Sequence, residues 1–201
     1  MICIGLKIGR RSEASGLCVT ELEWRGRPDR RCLHYVVRHL ERVEPGADFP
    51  QVGRRAGDIV GKLRARGLSP LLTVDATGLG GPIVDLVRDA ASSSCVRPVF
   101  LNPGDQLSEE PKRTVLGKAF LVARLQTLLQ TDRLHLPKTS ESEQLTEDLL
   151  AFEVKIDAQA NEKYGAFAVG SRDELVTALG LCLYKEPTLA GFSMAIEAGL
   201  G

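Results

Sequence analysis

The chain has 201 residues, 43% of them apolar, which suits a single domain with a full hydrophobic core. Its 26 basic and 26 acidic residues cancel, so net charge alone points to no partner. No stretch approaches the run of about 18 apolar residues that a membrane helix needs, and Met1 leads straight into a short apolar run without a basic leader, so the sequence reads as a cytoplasmic protein.

Cys3, Cys18, Cys32, Cys95 and Cys182 are odd in number and lack the close pairing of a zinc site or disulfide framework, so they read as small core residues. The zero total charge conceals an asymmetry. Between Arg25 and Arg66 eleven Lys or Arg face five acids, whereas between Glu141 and Glu174 nine acids face three basic residues. A basic half could lie along a phosphate backbone and an acidic half could hold metal, although solvated faces give similar runs without a function.

In chain order, Ile2 to Ile8 is the first predicted strand. Alternation puts Ile2, Ile4, Leu6 and Ile8 on one face and Cys3, Gly5, Lys7 and Gly9 on the other. A lone lysine among small residues on a central strand points into a site; the alternative is an exposed edge strand carrying a protective charge. Strands follow at Gly16 to Trp24 and Cys32 to Leu40, joined by the turn residues Arg25-Gly-Arg-Pro-Asp29. The period then changes: Phe49 to Arg66 predicts a helix, Leu71 to Asp75 a buried strand, Gly80 to Ala91 a helix and Val96 to Leu101 a fifth strand.

Asn102 to Pro111 reads as a mobile polar loop. Leu121, Val122, Leu125, Leu128 and Leu129 then mark an amphipathic helix. The last third predicts a helix from Glu141, a hairpin of Ala151 to Asp157 with Lys163 to Val169, and a closing helix striped by Leu175, Val176, Leu179, Cys182 and Leu183. Ser171-Arg-Asp-Glu174 has the spacing of a capping box. Residues 1–186 form the expected domain, and 187–201 an expected loosely held tail. The whole predicts an α/β domain with a mixed sheet.

Three places can carry chemistry. They are the segment around Lys7, the end of the fourth strand at Asp75 with its glycine-rich turn Thr77-Gly-Leu-Gly-Gly-Pro82, and Asp173-Glu174 at the start of the closing helix. Ligands of α/β folds collect outside the carboxyl ends of strands, which makes Asp75 a placed carboxylate. Asp75 could equally cap the turn, and Glu174 could complete the capping box. No Lys-Ser or Lys-Thr follows the glycines, which argues against a Walker nucleotide site.

In combination these features resemble the nuclease domain of phage terminase large subunits, a branch of the RNase H-like fold. The resemblance is carried by Val74-Asp-Ala-Thr-Gly-Leu-Gly-Gly-Pro-Ile-Val-Asp-Leu-Val87, by Pro111-Lys-Arg with Leu121 to Leu136, by Ala151-Phe-Glu-Val-Lys-Ile156, and by Tyr164 to Ala178. It implies an RNase H-like mixed five-stranded sheet flanked by helices, with an added β-hairpin near the C-terminal helix and near the DNA groove. It also implies a two-metal endonuclease that cuts double-stranded DNA during genome packaging, with Mg2+ or Mn2+ as cofactor. Hard cations take oxygen ligands, and two of them about 4 Å apart activate water and hold the scissile phosphate.

On this resemblance Asp75 and Asp173, with Glu174, are the expected catalytic and metal-binding residues, Asp173 being favoured over Glu174. Arg54, Arg55, Lys112 and Arg113 are the candidate phosphate contacts. The sequence departs from the family at position 7, where Lys7 stands in place of the first metal-binding aspartate. At about 4 Å and an effective dielectric near 20, each charge pair is worth on the order of 4 kcal/mol, so the exchange turns attraction for metal into repulsion. Lys7 could pair with Asp75 instead. Glu13 is a conceivable substitute ligand, at the wrong end of the turn.

Activity is therefore expected to be low or absent. The alternative is a catalytically inactive DNA- or partner-binding module, such as a prophage remnant. An actin-like or sugar-kinase-like ATPase is a more distant reading that fits the later motifs badly. The sequence has no Walker lysine motif for the ATPase motor that such subunits carry, so a separate motor, a small terminase subunit and a portal are candidate partners.

Overall fold

The computed structural model describes residues 1–10, 12–27, 29–78, 80–110, 113–150, 152–156, 162–166 and 172–186. Ten strands and five α-helices are assigned among them: β1 Ile2–Lys7, β2 Ser15–Arg25, β3 Cys32–Val43, α1 Phe49–Arg64, β4 Pro70–Asp75, α2 Gly80–Ala91, β5 Val96–Asn102, β6 Leu107–Glu110, β7 Arg113–Gly117, α3 Lys118–Gln130, β8 Leu134–His135, α4 Ser140–Leu150, β9 Phe152–Ile156, β10 Glu162–Ala166 and α5 Glu174–Leu183.

Eight strands form one sheet in the order β6-β7-β5-β4-β1-β2-β3-β8. β1, β4, β5 and β7 run parallel, β2 is antiparallel to β1 and β3, and β6 returns antiparallel along β7. The expected five strands are present with near-identical bounds, but the sheet is wider by three. β6, β7 and β8 are short or edge elements, and β6 reads Leu-Ser-Glu-Glu with its last three residues exposed. Such a strand offers no apolar alternation to find, so the expected polar loop is in part a strand.

β9 and β10 pair antiparallel as a separate ribbon with Tyr164 opposite Val154. The turn expected around residue 159 and the tail expected from residue 187 lie outside the described residues.

Each face of the large sheet carries its own apolar layer. Ile2, Ile4, Leu6 and Ile8 pack with Val52, Ala56 and Val60 of α1 and Ile83, Val84 and Val87 of α2. The opposite face packs Cys3, Cys18, Leu33, Tyr35 and Val37 against Leu121, Leu125 and Leu128 of α3, Leu145 of α4 and almost all of α5. The predicted alternation of β1 therefore divides the two cores, and β1 lies at the centre of the sheet rather than at an edge. Cys3, Cys18, Cys95 and Cys182 are buried as expected, whereas Cys32 is exposed at the start of β3.

Two glycines set how closely α5 lies on the sheet. A Cβ on Gly5 would fall within the radius of the Ala178 carbonyl oxygen, and one on Gly16 would sit 2.3 Å from the Glu174 oxygen. Only hydrogen at these positions lets the backbone of α5 rest on β1 and β2. Its first turn is thereby brought over the end of β1 that carries Lys7.

Candidate functional site

β1 and β4 run parallel with Leu6 opposite Val74, so the next residues of each strand, Lys7 and Asp75, meet on the α5 face at the carboxyl edge of the sheet. Lys7 Nζ donates to Asp75 Oδ2 at 3.0 Å. The lysine side chain is 23% exposed and the aspartate 2%, so the pair lies at the floor of a cleft rather than in open water. Asp75 is fixed on its other oxygen as well. Thr77 N–H donates to Oδ1 at 2.8 Å, and Thr77 Oγ1 in turn accepts from Leu101 N–H at 2.7 Å, which ties the turn to β5.

The cleft holds about 280 Å³ and is lined by Lys7, Arg10, Glu13, Asp75, Thr77, Gly78, Lys118 and Asp173, among others. Burial of the Lys7 ammonium would by itself lower its pKa. The Asp75 carboxylate, through its charge and its hydrogen bond, outweighs that with help from Asp173 and Glu13 and holds the lysine above its ordinary value. Lys7 is accordingly a charged group fixed among three carboxylates.

Asp173 and Glu174 occupy the start of α5 but have separate surroundings. Asp173 is the N-cap of α5, its side chain makes no capping hydrogen bond, and it lines the cleft. Glu174 is buried, and its Oε1 lies 2.5 Å from Arg42 Nε in an ion-pair contact without hydrogen-bond alignment. Arg42 also donates to Asp148 Oδ2 at 2.5 Å and to Gln144 Oε1 at 2.6 Å, which joins β3 to α4 and α5. The capping box expected from Ser171 to Glu174 is not the observed start: the cap is Asp173, Glu174 is the first helical residue, and Ser171 lies outside the described residues.

Glu13 lines the cleft, and its Oε2 accepts from Arg10 N–H at 3.1 Å, which closes the turn after β1. The expected phosphate contacts lie elsewhere. Arg54 and Arg55 sit on α1, on the sheet face opposite α5, and Arg55 clasps Glu41 with hydrogen bonds of 2.7 to 2.9 Å. Arg113 begins β7, two strands from Asp75, and lines a different cavity, with its guanidinium 5.1 Å from the Phe100 ring centroid. Lys112 lies outside the described residues.

Among the described residues, no group of three or more His, Cys, Asp or Glu is disposed to hold a metal ion. Asp75 spends one oxygen on an ammonium and Glu174 faces a guanidinium, so these side chains as arranged do not fit a two-metal centre. The site residues that the sequence reading missed are Thr77, Arg10, Lys118 and Arg42. Thr77 stands two residues after Asp75, the spacing at which an aspartate closes a turn on backbone, and that signal was present.

No protein-family model matches the chain, and no curated protein does. Solved structures do match. The large terminase nuclease of thermophilic phage G20c, solved with bound magnesium, superposes with a TM-score of 0.60 at 19% identity over 92% of this chain and 80% of that one. The same nuclease with bound cobalt gives the same values. The Thermus phage P74-26 large terminase nuclease domain gives a TM-score of 0.54 at 16% identity, over 90% and 77%. With its mixed central sheet, its two helical layers and α5 seated over β1, this chain has the RNase H-like fold of the large-terminase nuclease domains.

Proposed function

We propose that this chain is a terminase-type nuclease domain whose two-metal cleavage of double-stranded DNA is impaired because Lys7 occupies the place of a metal-binding aspartate. The observation that carries the reading is the 3.0 Å ion pair between Lys7 and Asp75 at the floor of the cleft. A dication brought to Asp75 would meet the ammonium at close range. At about 4 Å and an effective dielectric near 20, that repulsion is on the order of 8 kcal/mol for a double charge, which cancels the attraction of one carboxylate at the same distance. Asp75 and Asp173, with Glu13 beside them, are the acids that line the cleft, and Glu174 is drawn aside by Arg42.

A second reading, a module that binds DNA or a packaging partner without cutting, gains support from that diversion of Glu174, since two acidic positions are then neutralised by internal cations. In either case residues 1–186 act as the working unit inside the cell that holds the DNA. An ATPase motor, a small terminase subunit and a portal are the partners that the fold suggests.

Plasmid nicking in Mn2+ tests the proposal. The unmodified chain is expected to leave supercoiled DNA intact, and Lys7→Asp to gain cleavage together with Mn2+ binding by calorimetry. Cleavage by the unmodified chain that disappears in Asp75→Asn would overturn the impaired reading. Failure of Lys7→Asp to bind Mn2+, in a variant that still melts cooperatively, would overturn the role given to position 7.

A further inference from the structure

The cleft does more than lose a metal. Three cations line it, Lys7, Arg10 and Lys118, against the carboxylates of Glu13, Asp75 and Asp173. An aspartate at position 7 would leave the same walls two charges more negative, a surface that repels phosphate until metal enters. With lysine the walls are balanced, so an anion faces no net repulsion.

The geometry adds attraction. The cleft lies where α2, α3 and α5 begin, because Gly78, Lys118 and Asp173 line it just before or at the first residues of those helices. The N-cap of α5, Asp173, makes no side-chain hydrogen bond to the first turn, whereas at α3 the Ala119 N–H is already donated to the Gly104 carbonyl at 3.2 Å, so the first turn of α5 is the one whose amides are left uncapped by a side chain. Arg10 is exposed, and its guanidinium lies against the left-handed glycine turn: a Cβ on Gly78, whose φ is +75°, would sit 3.0 Å from Arg10 Nη2. Among the described residues that guanidinium has no ion-pair partner. Lys7 gives Asp75 one hydrogen bond, and an ammonium carries three donors.

We propose that the cleft binds a DNA phosphodiester directly, without a divalent ion, with Arg10 and Lys7 as its principal contacts and Lys118 in the wall beside them. This rests on the reading of the chain as a DNA-contacting terminase-type domain and names what its altered site now holds. The lysine then serves two purposes, filling the metal's place against Asp75 and presenting donors to the phosphate that the metals would have held.

Fluorescence anisotropy of a labelled DNA duplex in EDTA tests it. The unmodified chain should bind without metal. Arg10→Glu, at an exposed position that should not disturb folding, should weaken binding about tenfold or more, and Arg10→Ala should lower the slope of log K against log salt by about one. Lys7→Asp should bind poorly in EDTA and recover in Mn2+. Lys62→Glu, an exposed charge change on α1, is the control and should stay within about twofold.

Binding that requires Mn2+ in the unmodified chain would overturn the proposal, as would equal loss in Lys62→Glu and Arg10→Glu. Nicking followed in the same samples keeps the two conclusions apart. Cleavage by the unmodified chain overturns the impaired reading alone, whereas absence of binding in EDTA overturns the direct phosphate contact alone.

Discussion

At the residue scale, the Lys7–Asp75 pair decides both stability and chemistry. A lysine held above its ordinary pKa of 10.5 keeps its proton in the folded state after the unfolded chain has lost it. Its stabilisation is therefore complete below that pH and lost as pH rises through the higher folded value. Tyr35 and Tyr184 weaken the fold in the same alkaline range, because burial raises both, Tyr184 to about 12, and the unfolded phenols ionise first. A comparison with Lys7→Met removes that shared background. Lys7→Met should cost about 2–3 kcal/mol at neutral pH, below the roughly 3–5 of a fully buried broken pair because the lysine keeps some solvent. The gap between the two proteins in urea unfolding should hold up to about pH 10.5 and narrow as pH rises beyond it. A gap that stays constant with pH would mean that Asp75 does not hold the ammonium.

At the scale of elements, the seating of α5 on β1 and β2 positions the cleft, and it depends on the absence of two side chains. Gly5→Ala places its Cβ into the Ala178 carbonyl, a backbone atom that moves only with the helix, so a loss of about 3 kcal/mol or more is expected in thermal or urea unfolding. Gly61→Ala on α1 has nothing within 4 Å and should raise stability by roughly 0.5–1 kcal/mol, because alanine restricts the unfolded chain and favours helix. Opposite signs for the same substitution would separate close approach from helix propensity. The glycine face of β1 was legible in the sequence, because apolar and small residues alternate strictly over Ile2 to Gly9, and so was Lys7 on that face. Arg42 was not. β3 carries an extra residue between Val37 and His39 opposite the Val19–Thr20 step of β2, which reverses its phase. Leu33, Tyr35 and Val37 face α5 at odd positions before the bulge, and Leu40 and Arg42 do so at even positions after it. Simple alternation puts Arg42 on the wrong side, so its grip on Glu174 could be found only in three dimensions.

At the scale of the molecule, the basic stretch from Arg25 to Arg66 and the acidic stretch from Glu141 to Glu174 meet at Arg42. Arg42 from the first meets Asp148 and Glu174 from the second, while Arg38 and Arg55 are matched by Glu21, Glu23 and Glu41. Part of the apparent asymmetry is thus taken up by ion pairs within the fold, while Arg54, Lys62, Arg64 and Arg66 stay exposed on or beside α1. Of these pairs Arg42 matters most, because its side chain is only 7% exposed and it joins β3, α4 and α5 at one point. Burial already raises the pKa of Asp148 against the opposing pull of Arg42, so removing the cation leaves two largely buried carboxylates without the guanidinium that contacts both. Arg42→Met should therefore lose about 3–5 kcal/mol at pH 7. Asp148, already raised by burial, would lose the opposing pull of Arg42 and bind its proton more readily in the folded variant, so the variant's stability should rise relative to the unmodified protein as pH falls toward about 5. Adding Glu174→Gln, which removes one of the two largely buried charges, should restore part of the loss at pH 7. A deficit equal at both pH values, and unchanged by Glu174→Gln, would show that Arg42 acts by packing and that Glu174 is not held by its charge.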